Sequence, residues 1–238
     1  MPNVRPYKSA RQNVWRLIEG QYRPATQKIV DTSAEQEALE HLLEASKPTI
    51  PPDCAHLDYQ FSAPFRYGCY PHNSRFRRQG PTPGVFYASE HALTAALEAA
   101  WITVKFYRAS PDTAIPRTAR NHTAIQADIQ VPVALDLTDP QMAGQGNWTH
   151  ATEYHDCLEL AEKVRTENCE LLRYQSVRDP DARANFAILT CRAFAQPAPV
   201  QTQTWHLFHT PDRVIIDNET LRQRFEYLVG PQRFEPVK

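Results

Sequence analysis

The sequence predicts an α+β protein with a mixed sheet core and surrounding helices. Three observations point there. Short strand-like runs and helical patterns follow one another irregularly, which argues against a doubly wound parallel sheet. Neither GxGxxG nor GxxxxGK[ST] occurs, so the glycine-rich phosphate loops of the common nucleotide folds are missing. The 238 residues suffice to bury a substantial core, with 42% hydrophobic and 22% charged, a globular balance.

In chain order, Ser9 to Glu19 carries Val14, Leu17 and Ile18 at helical spacing, with Gly20 as the stop. Ser33-Ala34-Glu35-Gln36 reads as a capping box, Ser33 being the cap and Gln36 reaching back to it. Leu39, Leu42 and Leu43 supply the apolar face of that second helix. Pro48, Pro51 and Pro52 then force an extended linker. Residues 1–52 therefore read as an N-terminal helical extension, and 53–238 as the main body of one compact unit.

The main body opens with a basic and aromatic loop. A short apolar segment follows, Val85-Phe86-Tyr87, whose alternation sends Phe86 to one face and Val85 and Tyr87 to the other. A helix comes next, with Leu93, Leu97, Ala100, Trp101 and Val104 as its buried stripe. Ala124 to Leu137 reads as a strand with Val131, Val133, Leu135 and Leu137 on one face. Pro132 puts this strand at an edge or interrupts it. Thr152 to Glu167 reads as a helix, with Glu159 and Lys163 an i,i+4 pair. Leu171 to Ser176 and Phe186 to Cys191 read as strands. Thr202 to Phe208 and Val214-Ile215-Ile216 form a hairpin, and a short helix is expected from Asn218.

Several function classes fall away. A formal net charge of −1 does not suit a general nucleic-acid binder. No stretch is long and apolar enough to span a membrane, and no N-terminal apolar run resembles an export signal, so a cytoplasmic location is expected. The five cysteines, Cys54, Cys69, Cys157, Cys169 and Cys191, show no CxxC spacing and are expected to be reduced thiols. Histidine pairs such as His206 and His209 lack the company of a metal motif, and no metal site is expected.

The candidate chemistry concentrates between Pro64 and Val104. Glu98 has Thr94, Ala95, Trp101 and Ile102 as helical neighbours, none of them a cation. A carboxylate beside a buried stripe must find water, a distant arginine or a ligand. Arg66 and Arg75 each adjoin a phenylalanine, which can hold a guanidinium in place for an anion. Arg77 and Arg78 lack such framing and are expected in solvent. Tyr87 is either a half-buried strand residue or a surface for a planar ring. Ser176 lacks a Gly-x-Ser-x-Gly setting, so it is no hydrolase nucleophile and is expected to bond the adjacent turn.

Together these segments resemble the RES-domain family, toxins of bacterial toxin–antitoxin pairs named for an arginine, a glutamate and a serine. The matching segments are Pro64-Phe65-Arg66-Tyr67, Ser74-Arg75-Phe76, Gly84-Val85-Phe86-Tyr87-Ala88-Ser89, Ala96-Leu97-Glu98, and Tyr174-Gln175-Ser176-Val177-Arg178 with Asn185-Phe186. Val14-Trp15-Arg16-Leu17 and the segment from Glu35 to Pro48 look like the longer-chain subgroup. Asn73 and Arg77 depart from the glycines that the family pattern carries around Ser-Arg-Phe.

The resemblance implies a fold similar to ADP-ribosyltransferase toxins, with NAD as substrate and no separate cofactor. NAD would be cleaved by phosphorolysis, with inorganic phosphate as co-substrate, or by hydrolysis; the alternative is transfer of ADP-ribose to a protein. In that setting Arg75, Glu98 and Ser176 are the catalytic set. Glu98 would stabilise the ribosyl cation, and Ser176 would orient the nicotinamide-side ribose or amide. Arg75 and Arg66 would hold the pyrophosphate or the incoming phosphate, while Tyr67 and Tyr87 line the nicotinamide site. The implied partner is a helical antitoxin with an Xre-type DNA-binding part that occludes the site, in a toxin–antitoxin hetero-oligomer or beside a homo-oligomer. A reading from another class also stands, a non-catalytic binding or regulatory module in which the arginines and Glu98 form a structural ion-pair cluster.

Overall fold

The computed structural model describes residues 6–20 and 29–237. Eleven strands and four α-helices follow one another as β1 (Lys8–Glu19), α1 (Ser33–Ser46), α2 (Tyr59–Arg66), β2 (Cys69–Tyr70), β3 (Gly80–Pro81), β4 (Phe86–Ser89), α3 (Ala92–Ala109), β5 (Arg120–Asp136), α4 (His155–Thr166), β6 (Leu171–Gln175), β7 (Ala184–Ile188), β8 (Gln201–His209), β9 (Arg213–Asn218), β10 (Gln223–Val229) and β11 (Phe234–Pro236) among the described residues. The architecture is α+β, as expected, with a mixed main sheet in which the one parallel pairing among the described residues is β5 with β6.

The 17-residue β5 organises the sheet. Along one edge it pairs with β1 from His122 to Ala134, and along the other it pairs first with β8 and then with β6. Because β1 also bridges β4 at Trp15 and Ser89, the strands β1, β4, β7, β6 and β5 close on themselves. The antiparallel meander β8 to β11 extends from the first half of β5.

Three apolar clusters hold these parts together. Phe61 and Phe65 of α2 pack with Phe86, Ile125, Ile129, Phe186 and Phe194. Trp101 and Leu97 of α3 pack on Trp205, Leu207 and Ile216 of the meander. Leu160 and Val164 of α4 cover Leu135, Leu172 and Ala187. Gly84 permits α2 to approach β4, since a Cβ there would lie 2.4 Å from the Pro64 carbonyl oxygen.

The structure corrects several expectations. Ser9 to Glu19 is strand, not helix, and β1 belongs to the main sheet instead of an N-terminal helical extension. Both of its faces are covered, Val14 in the α2 cluster and Trp15 in the α3 cluster, which erases the alternation that marks a strand with one solvated side. Helix α1 exists, but its capping box is one residue earlier: Thr32 Oγ1 accepts from Glu35 N, and Glu35 Oε2 accepts from Thr32 N. Its leucine face is left uncovered, with Leu42 at 69% exposure.

Pro132 does disturb the pairing of β5, but in the second half of a continuous strand and not at a sheet edge. The β1 register slips between Lys8 and Ala10, opposite Ala134 and Val131. This bulge flips the strand, so Val131 faces the α2 cluster while Leu135 and Leu137 face α4. Glu159 pairs with His155, across 3.1 Å. After Asn218 the chain turns and returns as β10 instead of starting a helix. Cys54 and Cys191 form a disulfide with a Cα separation of 5.3 Å, while Cys69, Cys157 and Cys169 are free. The fold brings together two short 3-10 turns, Pro52–Cys54 and Cys191–Ala193, that 137 positions of sequence separate. No helix among the described residues is long and apolar enough to cross a membrane.

Candidate active site

Between β1, β4, α3 and the segment after β6 lies a cleft of about 370 Å³, within the usual size for a small-molecule site. Arg16, Arg75, Tyr87, Glu98, Tyr174, Arg178 and Asn185 reach its wall. A second cavity of about 260 Å³ adjoins it, sharing Arg16, Tyr70, Ser74 and Tyr87 and adding Tyr67 and Arg77.

Glu98 is part of the lining of the first cleft. Its helix carries it to the ends of β6 and β7, where Oε1 accepts from Ser176 Oγ at 2.7 Å and from Asn185 Nδ2 at 2.6 Å. Two neutral donors thus hold one oxygen of the carboxylate and leave the other, Oε2, without a protein partner among the described residues.

Ser176 is fixed from behind. Its Oγ accepts from the backbone N–H of Arg178 at 3.2 Å and of Asp179 at 3.1 Å, the turn contact expected of it. The turn is tied to α3 by Thr94 Oγ1, which donates to the buried Asp179 carboxylate at 2.6 Å. Asn185 is held in turn by Ser89: the hydroxyl of Ser89 donates to Asn185 Oδ1 at 2.7 Å. That bond leaves the Asn185 amide nitrogen directed at Glu98.

Arg75 is buried at the cleft wall. It donates to the carbonyls of Trp148 at 2.8 Å and His150 at 2.9 Å and lies against the rings of Tyr154 and Tyr174, at 4.8 and 5.8 Å. Tyr87 accepts from Phe76 N and hydrogen-bonds Ser74 Oγ, each at 2.9 Å, so its hydroxyl braces the Ser74-Arg75-Phe76 loop. Burial pushes its pKa up to about 12, so the phenol is neutral at ordinary pH. Burial likewise raises the Tyr174 phenol, and the charge of Glu98 adds to the rise.

The six residues singled out from sequence are therefore distributed unevenly. Arg75, Tyr87 and Glu98 line one cleft, with Ser176 bonded directly to Glu98. Tyr67 lines the neighbouring cavity. Arg66 lines neither cavity: it is buried, donates to the Pro48 carbonyl, and pairs with Glu44 at 2.6 Å. Its guanidinium ties α1 and the proline linker to α2. Arg77, expected in solvent, is also buried. It donates to the carbonyls of Tyr67 and Thr82 and lies 4.4 Å from the Tyr70 ring, closing the loop that holds Arg75. Arg78 is on the surface with Glu162, as expected.

Sequence reasoning missed three groups. Asn185 stood in a noted segment but was assigned no role. Arg178 closed another noted segment and was likewise given no role, yet it is buried, stacked 4.7 Å from Trp101 and bonded to the carbonyls of Ala151 and Gln232. Burial lowers its pKa, and Glu98 opposes that change. Arg16 was hidden by the helical reading of β1. Read as a strand, Val14, Arg16 and Ile18 alternate on one face, and a cation between two apolar residues is the signal.

The fold and cleft define an α+β protein whose cleft is lined by one carboxylate, Glu98, and by the buried arginines Arg75 and Arg178. The family model described as the RES domain matches residues 50–209, more than half of the chain, and the chain belongs to that family. Among solved structures, the chain is similar to one in the crystal structure of the M. tuberculosis MbcT–MbcA toxin–antitoxin complex. The two are 13% identical with a TM-score of 0.44, and the match covers 86% of this chain and 87% of the other. No curated protein matches it in sequence.

Proposed function

We propose that this protein is the toxin of a bacterial toxin–antitoxin pair and that it consumes NAD by breaking the bond between nicotinamide and ribose. The observation that carries this reading is the Glu98 carboxylate in the cleft lining, held through Oε1 by Ser176 and Asn185. Family membership and the ordered motifs from Pro64 to Phe186 support it.

The chemistry asks little of the protein beyond electrostatics. The C1′–N bond breaks with its electron pair going to the nicotinamide ring, which leaves as a neutral base and needs no general acid. Positive charge develops on the ribose, as in glycoside cleavage, and a carboxylate beside it lowers the barrier. A water or phosphate oxygen then bonds to C1′, giving ADP-ribose and a proton, or ADP-ribose 1-phosphate. Glu98 stabilises the cation, and Ser176 with Asn185 keeps its carboxylate in place. Tyr87, neutral and braced, lines the nicotinamide end. Arg75 supplies positive potential and shapes the wall.

The antitoxin, a helical protein with an Xre-type DNA-binding part, covers the cleft mouth in this reading. Ile102 and Phe106 of α3, 70% and 55% exposed, offer an apolar rim there, and Ile102 lines the cleft itself.

Incubation of purified, antitoxin-free protein with NAD, with and without phosphate, tests the proposal. Nicotinamide release is expected, and the sugar product separates phosphorolysis from hydrolysis. Release no faster than that of Glu98→Gln would remove the enzymatic reading.

A further inference from the structure

The Ser176 hydroxyl has little freedom of direction. Its Oγ accepts from two backbone N–H groups, Arg178 at 3.2 Å and Asp179 at 3.1 Å. A serine hydroxyl offers one proton and two lone pairs. With both lone pairs engaged, the proton is left to one acceptor, Oε1 of Glu98 at 2.7 Å. What aims this hydroxyl is therefore the turn that carries those two N–H groups.

That turn is anchored by a side chain outside the cleft. The carboxylate of Asp179 is fully buried. It accepts from Thr94 Oγ1 at 2.6 Å, from the backbone N–H of Asp181 at 2.9 Å, and from Arg183 at 3.0 and 3.2 Å. Thr94 is itself buried on α3, and neither it nor Asp179 lines the cleft. It precedes Glu98 by four residues, about 6 Å along the helix and on the same side of it. The turn thus meets α3 at two points one helical turn apart, Asp179 on Thr94 and Ser176 on Glu98. One contact would leave the turn free to pivot, whereas two fix both its place along the helix and its rotation. Burying a carboxylate is costly, and apolar packing could join the turn to α3 without it. What the hydrogen bonds add is direction.

We propose that Asp179 and Thr94 are positioning residues of the reaction, acting through Ser176 to hold the Glu98 carboxylate in its working orientation. Neither touches the reacting atoms. The proposal rests on the NAD reading for the reaction that the orientation serves, while the brace on Glu98 stands apart from it.

Nicotinamide release by the full chain, resolved into kcat and KM, tests this in a double-substitution cycle. Thr94→Val keeps the branched shape and removes the hydroxyl. It should lower kcat by about tenfold and leave KM for NAD within about twofold. Thr94→Ser, which keeps a hydroxyl, should recover most of that loss. In a Ser176→Ala background, Thr94→Val should change kcat by less than about twofold, because the group it helps to aim is gone. A merely structural contact would cost as much in that background as in the native protein. That additive outcome would overturn the assignment, as would an unchanged kcat in Thr94→Val. If Thr94→Val does not fold, Asp179→Asn carries the same cycle, since it keeps the shape and removes the charge that faces Arg183. If native protein releases no nicotinamide, the NAD reading fails and the cycle is read on urea unfolding. Non-additive losses for Thr94→Val and Ser176→Ala then uphold the brace, and additive ones remove it. If nicotinamide is released and the losses in kcat add, the NAD reading stands and the brace falls.

Discussion

The hydroxyl of Ser176 donates to Oε1 of Glu98 across 2.7 Å, although 78 positions of sequence separate the two. Glu98 arrives on α3 and Ser176 just beyond β6, and the Thr94–Asp179 bond locks one element to the other. The pair makes the carboxylate a fixed feature of the cleft wall and not a mobile surface acid.

Glu98→Gln keeps the shape of the side chain and removes its charge. Nicotinamide release should fall by on the order of a hundredfold or more, mainly in kcat. Thermal melting should stay near that of the native protein, which separates a lost charge from a lost fold.

Asn185→Asp brings a second carboxylate to the position that now donates to Glu98 at 2.6 Å. Two carboxylates at that distance share one proton, so the pH at which the pair loses its second proton rises. The acidic limb of the pH–rate profile should therefore move to higher pH. Ser176→Ala, which adds no charge, should lower kcat without moving that limb.

Arg66→Ala tests the structural placement of Arg66 against the role expected from sequence. With its guanidinium on Glu44 and Pro48, the substitution should lower the melting temperature and leave KM for NAD within about twofold, since loss of buried hydrogen bonds is a stability effect. A large KM change with unchanged melting would return Arg66 to the substrate.

Tyr87 has a pKa raised by burial to about 12, whereas an unfolded tyrosine ionises near 10. Between those values the unfolded chain has released a proton that the folded chain retains, so stability falls as pH rises through the window. Tyr87→Phe should flatten the decline between about pH 10 and 12 in denaturant titrations.

The disulfide predicts a thiol count. Denatured, unreduced protein should react with three equivalents of a thiol reagent, from Cys69, Cys157 and Cys169, and all five should react after reduction. Five before reduction would show the Cys54–Cys191 bond to be open.

Much was legible in the sequence because it is local. Thr152 to Glu167 and Leu93 to Val104 announce helices by apolar spacing, and Val85-Phe86-Tyr87 announces a strand by alternation. Adjacency to phenylalanine did not discriminate among the arginines: Arg66, Arg75 and Arg77 each adjoin one and all are buried, although Arg77 was expected in solvent. It could not say what holds them, because a guanidinium satisfies carbonyls, carboxylates and phosphates alike.

By itself, the sequence determined the α+β class, the helix that carries Glu98, and the motifs of the RES-domain family. Only the tertiary structure decided that β1 is a strand, that Arg66 faces Glu44 and Pro48, and that Arg16 and Asn185 reach the cleft. The physical reason is that burial on both faces hides a strand's period. A charged side chain's partner is set by which elements meet, and that information is spread over the whole chain.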